Sequence, residues 1–525
     1  MVPLSVLGII VMRFPLPLYL TLGFVFPISS SFAAGIDYPW MSTSAMGTAH
    51  ANAAEAADAS TVYFNPAGMT RMRSTVKSDS VQLLSIRGKF TDEGTTRANG
   101  EEAGGGPAGS YHPQVIGGAQ SYIVMPYNGD ITFGLGLFVP YGANINYKSD
   151  YAGRFFADRA AIETLNINPV MAIRFDDQHS VAIGFSGQVS HAKTKLGADV
   201  ALAVQEQGLD AVKGLGGGTG GALCDLLGGL SIELCRPLVN AILPPEEEFG
   251  MNSFDFEGYG FGVGYNLGYM FSLNDNTRFS LAYRSRIRQT LRGDVDWRFD
   301  GINPETTIPN PNNITQQVNA KEFVENEVRP DSKARLKVTT PDSLIAGVFH
   351  QFNERLALMA SVMFQRTSLM NELRVQIDDP KQGDAVIRTN FRDTFRVGIG
   401  ANYRVNDKWL LRGGLGYDMT PVPNAESRHA AVPDADRYSI ATGVNYRIND
   451  KFTLDFAYSF IMLANARSNY TDFCHPAGYE TTDGQTSNEP GRRDFSQCTG
   501  NGGTFRGRFT DSYIHSVGAQ INHTF

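Results

Sequence analysis

Four stretches of the chain alternate large apolar residues with small or polar ones for about ten positions each, and this period limits the fold more than any other feature. Phe452, Leu454, Phe456, Tyr458 and Phe460 share one parity, while Thr453, Asp455, Ala457 and Ser459 take the other. Tyr438, Ile440, Thr442, Val444, Tyr446 and Ile448 oppose Ser439, Ala441, Gly443, Asn445 and Arg447 in the same way. Phe395, Val397, Ile399, Ala401, Tyr403 and Val405 oppose Arg396, Gly398, Gly400, Asn402 and Arg404, and Phe261 through Phe271 repeat the pattern against Gly262, Gly264, Asn266 and Gly268. Successive strand side chains point to opposite faces, so each stretch has one greasy side and one small or polar side. Strands of soluble sandwiches run to about five or six residues, whereas a tilted strand needs about ten to cross a bilayer. Tyr and Phe at segment ends suit an interfacial girdle. In hydrocarbon every backbone amide must find a partner, so the sheet has to close on itself. The reading is all-β, a transmembrane β-barrel.

The connections count the strands. Short polar turns fall at Asn128-Gly129-Asp130, Asp176-Asp177-Gln178, Asn274-Asp275-Asn276, Asn353-Glu354, Asn406-Asp407-Lys408 and Asn449-Asp450-Lys451. Between them lie longer connections near residues 91–112, 141–163, 196–254, 293–332, 376–388, 421–435 and 468–509. Six short and seven long connections join 14 antiparallel strands over residues 76–525. Short turns of such barrels face the periplasm and long loops face outward, which puts both barrel ends in the periplasm. Tyr513, His515, Val517, Ala519, Ile521, His523 and Phe525 alternate to a terminal phenylalanine, as expected of a last strand read by the outer-membrane assembly machinery.

Ahead of the strands, Leu16 to Ile28 are apolar behind Arg13, and Ser31-Phe32-Ala33 supplies small residues for cleavage after Ala33. Residues 1–33 read as a secretory signal peptide, with translation starting at either Met1 or Met12. The mean hydropathy of −0.20 is too polar for a helical membrane protein, while 55 glycines and 11% aromatic residues are too many for a typical soluble enzyme. A net charge of −8 disfavours a nucleic-acid partner. In an exported chain the four cysteines pair most simply as Cys224 with Cys235 and Cys474 with Cys498; the spacings and the lack of partnering histidines disfavour zinc.

A barrel of fourteen strands leaves a lumen, and residues 34–75, rich in Ala, Ser and Gly, lack any transmembrane pattern. They are expected to fold back inside as a plug. Within them Asn65-Pro66-Ala67-Gly68 marks a sharp turn, because proline fixes φ and restricts its predecessor. This segment, with Ser44 to Ala49, Ala53 to Phe64, Pro140-Tyr141-Gly142, Gly153-Arg154 and Asn166 to Pro169, resembles the outer-membrane long-chain fatty acid transporter family of FadL/TodX type, which includes importers of aromatic hydrocarbons. The resemblance spans the mature chain. It implies a fourteen-stranded barrel, an N-terminal hatch bearing the Asn-Pro-Ala motif, an apolar groove among the outer loops and a kinked third strand that opens the wall sideways. The long 196–254 and 468–509 connections depart from the usual pattern, which bears on the shape of the ligand entrance.

Site candidates follow. Gly134, Gly136 and Pro140 could kink the third strand, since glycine weakens a strand and proline removes a ladder donor; Gly134 and Gly136 read equally as plain lumen-facing glycines. Leu223, Leu227, Leu230 and Leu234 give a helical apolar spacing in an outward loop, read either as a self-packed hairpin or as a catch-point for ligand. The glycine-rich run before them lacks a phosphate-loop ending and reads as a hinge. Arg154 is a candidate for an anionic head group, whereas Arg396, Arg404 and Arg447 read as wall or plug salt-bridge partners. His179-Ser180 and His515-Ser516 are strand neighbours that point to opposite faces, so neither makes a catalytic dyad. No enzyme motif, cofactor or metal site emerges. The reading is a monomeric outer-membrane transporter for passive uptake of hydrophobic small molecules, foremost long-chain fatty acids, in contact with membrane lipid and lipopolysaccharide. A general diffusion porin for polar solutes and an outer-membrane lipase are the alternatives, and the ligand could be a fatty acid, an alkane or an aromatic.

Overall fold

The computed structural model describes residues 39–109, 115–202, 204, 249–310, 313–380, 382–474 and 500–525. The proposed signal peptide, Leu223, Leu227, Leu230, Leu234, Cys224, Cys235 and Cys498 lie outside the described residues. Cys474 is disulfide-bonded.

A closed antiparallel barrel of 14 strands forms the molecule. In chain order they are β1 (Val76–Asp92), β2 (Ile116–Pro126), β3 (Ile131–Phe138, resuming at Gly142–Asn146), β4 (Arg159–Arg174), β5 (His179–Ala198) and β6 (Asn252–Ser272). Next come β7 (Thr277–Arg284 and Ile287–Arg298), β8 (Ser332–Thr340 and Ser343–Gln351), β9 (Leu356–Gln365, then Glu372–Ile377) and β10 (Ala385–Arg388, then Thr394–Arg404). The last are β11 (Trp409–Asp418), β12 (Arg437–Arg447), β13 (Phe452–Leu463 and Ala466–Thr471) and β14 (Thr504–Thr524). β14 returns to β1, from Val76 opposite Thr524 to Asp92 opposite Gly507, so no sheet edge is left open.

The alternation sorts inside from outside. On β6, Phe261 is 63% and Val263 69% exposed, while Gly262 and Asn266, of the other parity, are buried. Apolar side chains in a band around the exterior, with amides, hydroxyls and glycines inside, invert the soluble pattern and match a lipid-facing wall. His515 and His523 sit on this outer face, His515 bonded to the Tyr458 hydroxyl at 2.8 Å and His523 stacked on Phe452 at 4.3 Å. Ser516, its neighbour, points inward and is buried, as strand geometry requires.

All six short turns share one device. The first Asn or Asp accepts from two backbone N–H groups ahead of it: Asn449 Oδ1 from Lys451 (2.9 Å) and Phe452 (3.0 Å), Asn406 Oδ1 from Lys408 (2.9 Å) and Trp409 (3.0 Å). Asn128, Asp176, Asn274 and Asn353 do the same. A short amide or carboxylate thus replaces a backbone partner at each reversal.

The long connections start later than the alternation suggests. β5 reaches Ala198 and β6 starts at Asn252, and a separate hairpin (Thr307–Asn310 with Asn313–Asn319) sits in the 293–332 connection. Ladder pairing continues above the lipid, where outward residues become charged and the greasy signature stops. β7 and β8 break together at Ser285-Arg286 and Pro341-Asp342 without losing register, since Arg284 faces Ser343 and Ile287 faces Thr340. Pro341 cannot donate to the ladder. Asp342 there accepts from Arg286 (3.0 Å) and the Tyr283 hydroxyl (3.3 Å).

Replacing Asn449 by Ala removes two accepted bonds from an otherwise tight turn, and a loss of about 1 kcal/mol of unfolding free energy is expected. Urea titration of the detergent-folded protein followed by tryptophan fluorescence reads it; no change would mean that the turn is held by its backbone alone.

Candidate functional site

The lumen holds the N-terminal segment. Residues 39–72 are mostly buried and form a helical turn α1 (Thr43–Met46), a second, α2 (Thr61–Phe64), and a 3-10 turn (Pro66–Arg71). Ser42 caps the first, and Asn65 caps the third through Oδ1, which accepts from the Ala67 N–H at 3.2 Å. Pro66 at the first position of that turn needs no N–H partner and has φ preset. Asn65 also reaches the wall, donating from Nδ2 to the Tyr269 carbonyl on β6 at 3.0 Å. The fit needs small wall residues: a Cβ at Gly268 would lie 2.6 Å from Asn65 Oδ1, and one at Gly414 would lie 2.3 Å from the Thr48 carbonyl carbon. Gly134 belongs to the same lining, since a Cβ there would meet the Met69 sulfur at 2.4 Å.

Buried charge fastens the segment to the barrel. Glu55 Oε1 accepts from Arg412 Nη1 (2.9 Å) and Asn402 Nδ2 (2.6 Å), and Arg412 Nη2 faces Asp455 Oδ1 at 3.4 Å. Arg278 donates to the carbonyls of Ala54 and Glu55, both at 2.7 Å, with its guanidinium 3.8 Å above the Phe349 ring. Asp58 accepts from Ser44 (2.5 Å) and Gln520 (3.0 Å). The Thr43 N–H is shared between Ser80 on β1 (3.1 Å) and Gln520 on β14 (3.0 Å). Of the arginines read as salt-bridge partners, Arg396 faces inward and meets Asp418 at 2.8 Å, whereas Arg404 is exposed at the turn end of β10 and Arg447 lies 3.8 Å from Asp450 in a turn. Arg278 and Arg412 were missed, although both are charges on the small-residue parity, Arg278 at the turn end of β7 and Arg412 within β11, opposite in facing to Leu281 and Leu411.

Above the segment lies an apolar cavity of about 1590 Å³, its open mouth included. Phe254, Phe256, Leu336, Val338, Val375 and Ile377 wall it from the inner faces of β6, β8 and β9. Trp297, Arg329, His429 and Asp472 close it from the rim and loops. Burial lowers Arg329 to about 10, and its guanidinium lies 5.4 Å from the Trp297 ring. Beside this cavity a vestibule of about 1330 Å³, its open mouth included, carries Arg154, Lys195 and Arg298 together with Asp158, Asp199 and Asp300. Arg154 donates to the carbonyls of Ala103 (2.8 Å), Gly104 (2.9 Å) and Tyr151 (3.2 Å), so it also ties two outer loops together. A second tie runs from Arg97 through a bidentate pair with Asp199 (2.7 and 2.6 Å) to Asn501, which donates to the carbonyls of Phe155 and Gly197.

The wall is thinnest at β3. Its ladder to β2 has six pairs, Ser121–Leu137 to Pro126–Thr132, the fewest between any two neighbouring strands among the described residues. Toward β4 the pairing stops at Phe138 opposite Asn166 and resumes at Gly142 opposite Glu163, so three residues of β3 face two of β4, a bulge. The break falls at Val139-Pro140. Gly134 and Gly136 lie just below it in paired strand. Behind the break stand Phe138, Tyr122 and Tyr63, with Phe138 5.1 Å from Tyr63 and 5.8 Å from Tyr122 between ring centres. Gln120, Asn144, Asn166 and Asn168 surround it, each with a buried polar atom lacking a protein partner among the described residues, which suits a watered seam.

Two outcomes follow from this geometry. Arg412→Leu leaves Glu55 and Asp455 buried without a cation, which costs about 3–5 kcal/mol of seating; trypsin cleavage at Arg71 should speed up, and unchanged cleavage would remove Arg412 from the fastening. His429, packed 4.7 Å from the Tyr470 ring, is lowered by burial to about 3. It is neutral when folded, so its contribution is whole above pH about 6.5, the unfolded value, and declines as pH falls toward 3. Near-ultraviolet dichroism should therefore loosen on acidification in the native protein and loosen less in His429→Phe.

Comparison with known proteins gives one consistent result. Residues 25–490 match the family model described as outer membrane protein transport protein (OMPP1/FadL/TodX). A putative outer membrane protein, NMB0088 of Neisseria meningitidis serogroup B, is 28% identical over 448 residues, covering 84% of this chain and 89% of that one. The long-chain fatty acid transport protein of Escherichia coli O6:H1 is 23% identical, with 78% of this chain and 82% of the relative aligned. The crystal structure of a Pseudomonas aeruginosa FadL homologue superposes with a TM-score of 0.74 at 20% identity, over 94% of this chain and all of the other. The family consists of outer-membrane transporters and channels for hydrophobic molecules, not enzymes. A closed barrel with a segment seated in its lumen, an apolar cavity above and a family match across most of its length place this chain in the OMPP1/FadL/TodX family of outer-membrane transport proteins.

Proposed function

We propose that the protein takes up long-chain fatty acids passively across the outer membrane, with residues 34–75 acting as the plug. The observation that carries this reading is an apolar cavity with cations at its edge: Arg329 in its wall, and Arg154, Lys195 and Arg298 in the vestibule beside it, interleaved with Asp158, Asp199 and Asp300. A long acyl chain gains about 25 cal/mol for each Å² of apolar area removed from water. A carboxylate gains a charge-assisted bond at the rim, which an alkane or an aromatic hydrocarbon cannot use. From the cavity the ligand moves toward the break at Val139-Pro140 and leaves sideways into the membrane between β2 and β3. A shift of the plug around Asn65-Pro66 clears Tyr63 from Phe138. Cys224-Cys235 and Cys474-Cys498 would pin the two long outer loops, and Leu223, Leu227, Leu230 and Leu234 would offer the first greasy contact. Diffusion down a gradient drives the process.

Native mass spectrometry of the purified protein should recover bound fatty acids; recovery of only hydrophilic ligands would sink the reading. Arg329→Gln should weaken oleate binding about tenfold while leaving toluene binding unchanged. Ala119 and Val139 would face each other if the β2–β3 ladder continued. An Ala119→Cys/Val139→Cys disulfide should therefore abolish uptake of labelled oleate and leave its binding intact. Deletion of 34–75 should raise ion conductance in planar bilayers.

A further inference from the structure

Not every cation of this barrel faces the ligand path. On the outer face of β7 and β8, in the upper part of the lipid band and at its edge, lies a cationic cluster that the transport reading does not use. Leu336 and Val338 point into the cavity and Leu291 is buried with them, so Arg335, Lys337 and Arg292, of opposite parity, point outward and are exposed. The register sets Arg292 directly opposite Arg335, Thr290 opposite Lys337 and Arg288 opposite Thr339. Lys337 therefore lies diagonal to both Arg288 and Arg292, at the ~7–8 Å spacing of diagonal neighbours in a sheet. Like charges directly opposite one another destabilise a sheet unless an anion sits between them.

Nearby acids are already engaged. Arg335 meets Asp378 at 2.8 Å, Lys333 pairs with Asp294, and Glu257 is held by Lys193 (3.0 Å) and His191 (2.9 Å). Asp255 faces Arg298 at 3.6 Å, and Asp296 lies farther toward the rim, opposite Asp255. For Arg288, Arg292 and Lys337 no ion pair occurs among the described residues.

Their depth identifies the anion. On β6 an outward apolar and aromatic run goes from Tyr269 to Tyr259, eleven residues that span roughly 33 Å of strand and about 24 Å of height at a 45° tilt. That is the height of the lipid-facing band of an outer-membrane barrel. Tyr259, its top on the long-loop side, pairs in register with Arg292. Arg292 thus stands where hydrocarbon gives way to the headgroups of the outer leaflet, and Lys337 and Arg288, the latter beside Gly262 and lower on the same face, reach up to it along their aliphatic stems.

We propose that Arg288, Arg292 and Lys337 form a binding site for the phosphate of a phosphorylated glycolipid of the outer leaflet, the lipid A moiety of lipopolysaccharide. The two guanidiniums and the ammonium grip one phosphate from three sides, while the acyl chains lie down the face of Phe261, Val263 and Leu281. The site requires only the outward orientation of the cluster in an outer membrane, so it stands or falls apart from the identity of the transported ligand.

The test titrates the full, detergent-folded chain with bis-phosphorylated lipid A and with fully dephosphorylated lipid A, read by native mass spectrometry. The native protein should prefer the phosphorylated lipid by tenfold or more. Arg288→Gln/Arg292→Gln/Lys337→Gln should lose that preference while keeping the heat-modifiable migration of a folded barrel, and Arg292→Lys/Lys337→Arg should retain it. Equal binding of the two lipids by the native protein, or an undiminished preference in the triple variant, overturns the site. Abolition of lipid A binding by millimolar inorganic phosphate would mark a free-anion site and overturn the assignment to lipid, whereas lipid binding that resists phosphate supports it.

Discussion

Hydrocarbon offers no hydrogen-bond partners, and the rest of this structure follows from that. The backbone must satisfy itself strand to strand, so the last strand has to find the first, and Val76 opposite Thr524 closes the ring. Closure at fourteen strands creates a bore too wide for its own side chains to fill. Residues 39–72 sit within it, and the wall accommodates them with glycines such as Gly268 and Gly414, where a single added carbon would collide with Asn65 or Thr48. Small residues inside and large apolar ones outside are thus two effects of one cause.

The N-terminal segment is held both by charge and by apolar packing, since Trp40, Met46, Val62 and Met69 share one buried cluster with Leu84, Ile86, Tyr122 and Ile514 of the wall. The contacts of Glu55, Arg412, Asp455 and Asp58 are directional and lie in a polar lumen, so they fix one orientation of the segment. The wall likewise combines continuity with one weak place: ladders of nine or more pairs join β1 to β2 and β10 to β14 in turn, while β2 and β3 share six. Aromatic rings rather than hydrogen bonds back that place.

Much of this was legible in the chain. Strand number, facing and the six reversals follow from a period of two and from Asn or Asp at each turn, because those signals are local and lipid demands them strictly. The upper parts of the strands were not legible: once β7 and β8 near the edge of the lipid, outward positions become Arg288, Arg292 and Lys337, and alternation no longer separates strand from loop. Long-range partners were legible only in part. Inward charges such as Arg412 announce themselves by parity, but that Arg412 meets Glu55 depends on how the N-terminal segment lies, which no local pattern encodes. The ladder of β3 to β4 is interrupted at Val139-Pro140, while a Cβ at Gly134 would meet Met69 and one at Gly136 the Tyr122 and Phe138 rings.

The shared N–H of Thr43 has one more consequence. Its two acceptors, Ser80 and Gln520, belong to the earliest and latest strands made by the ribosome, separated by nearly the whole chain and brought together only when the ring is sealed. That docking point therefore does not exist on any partly assembled sheet. Synthesis delivers this stretch before any wall is present, so the contact of Thr43 with both strands forms only when the last strand meets the first.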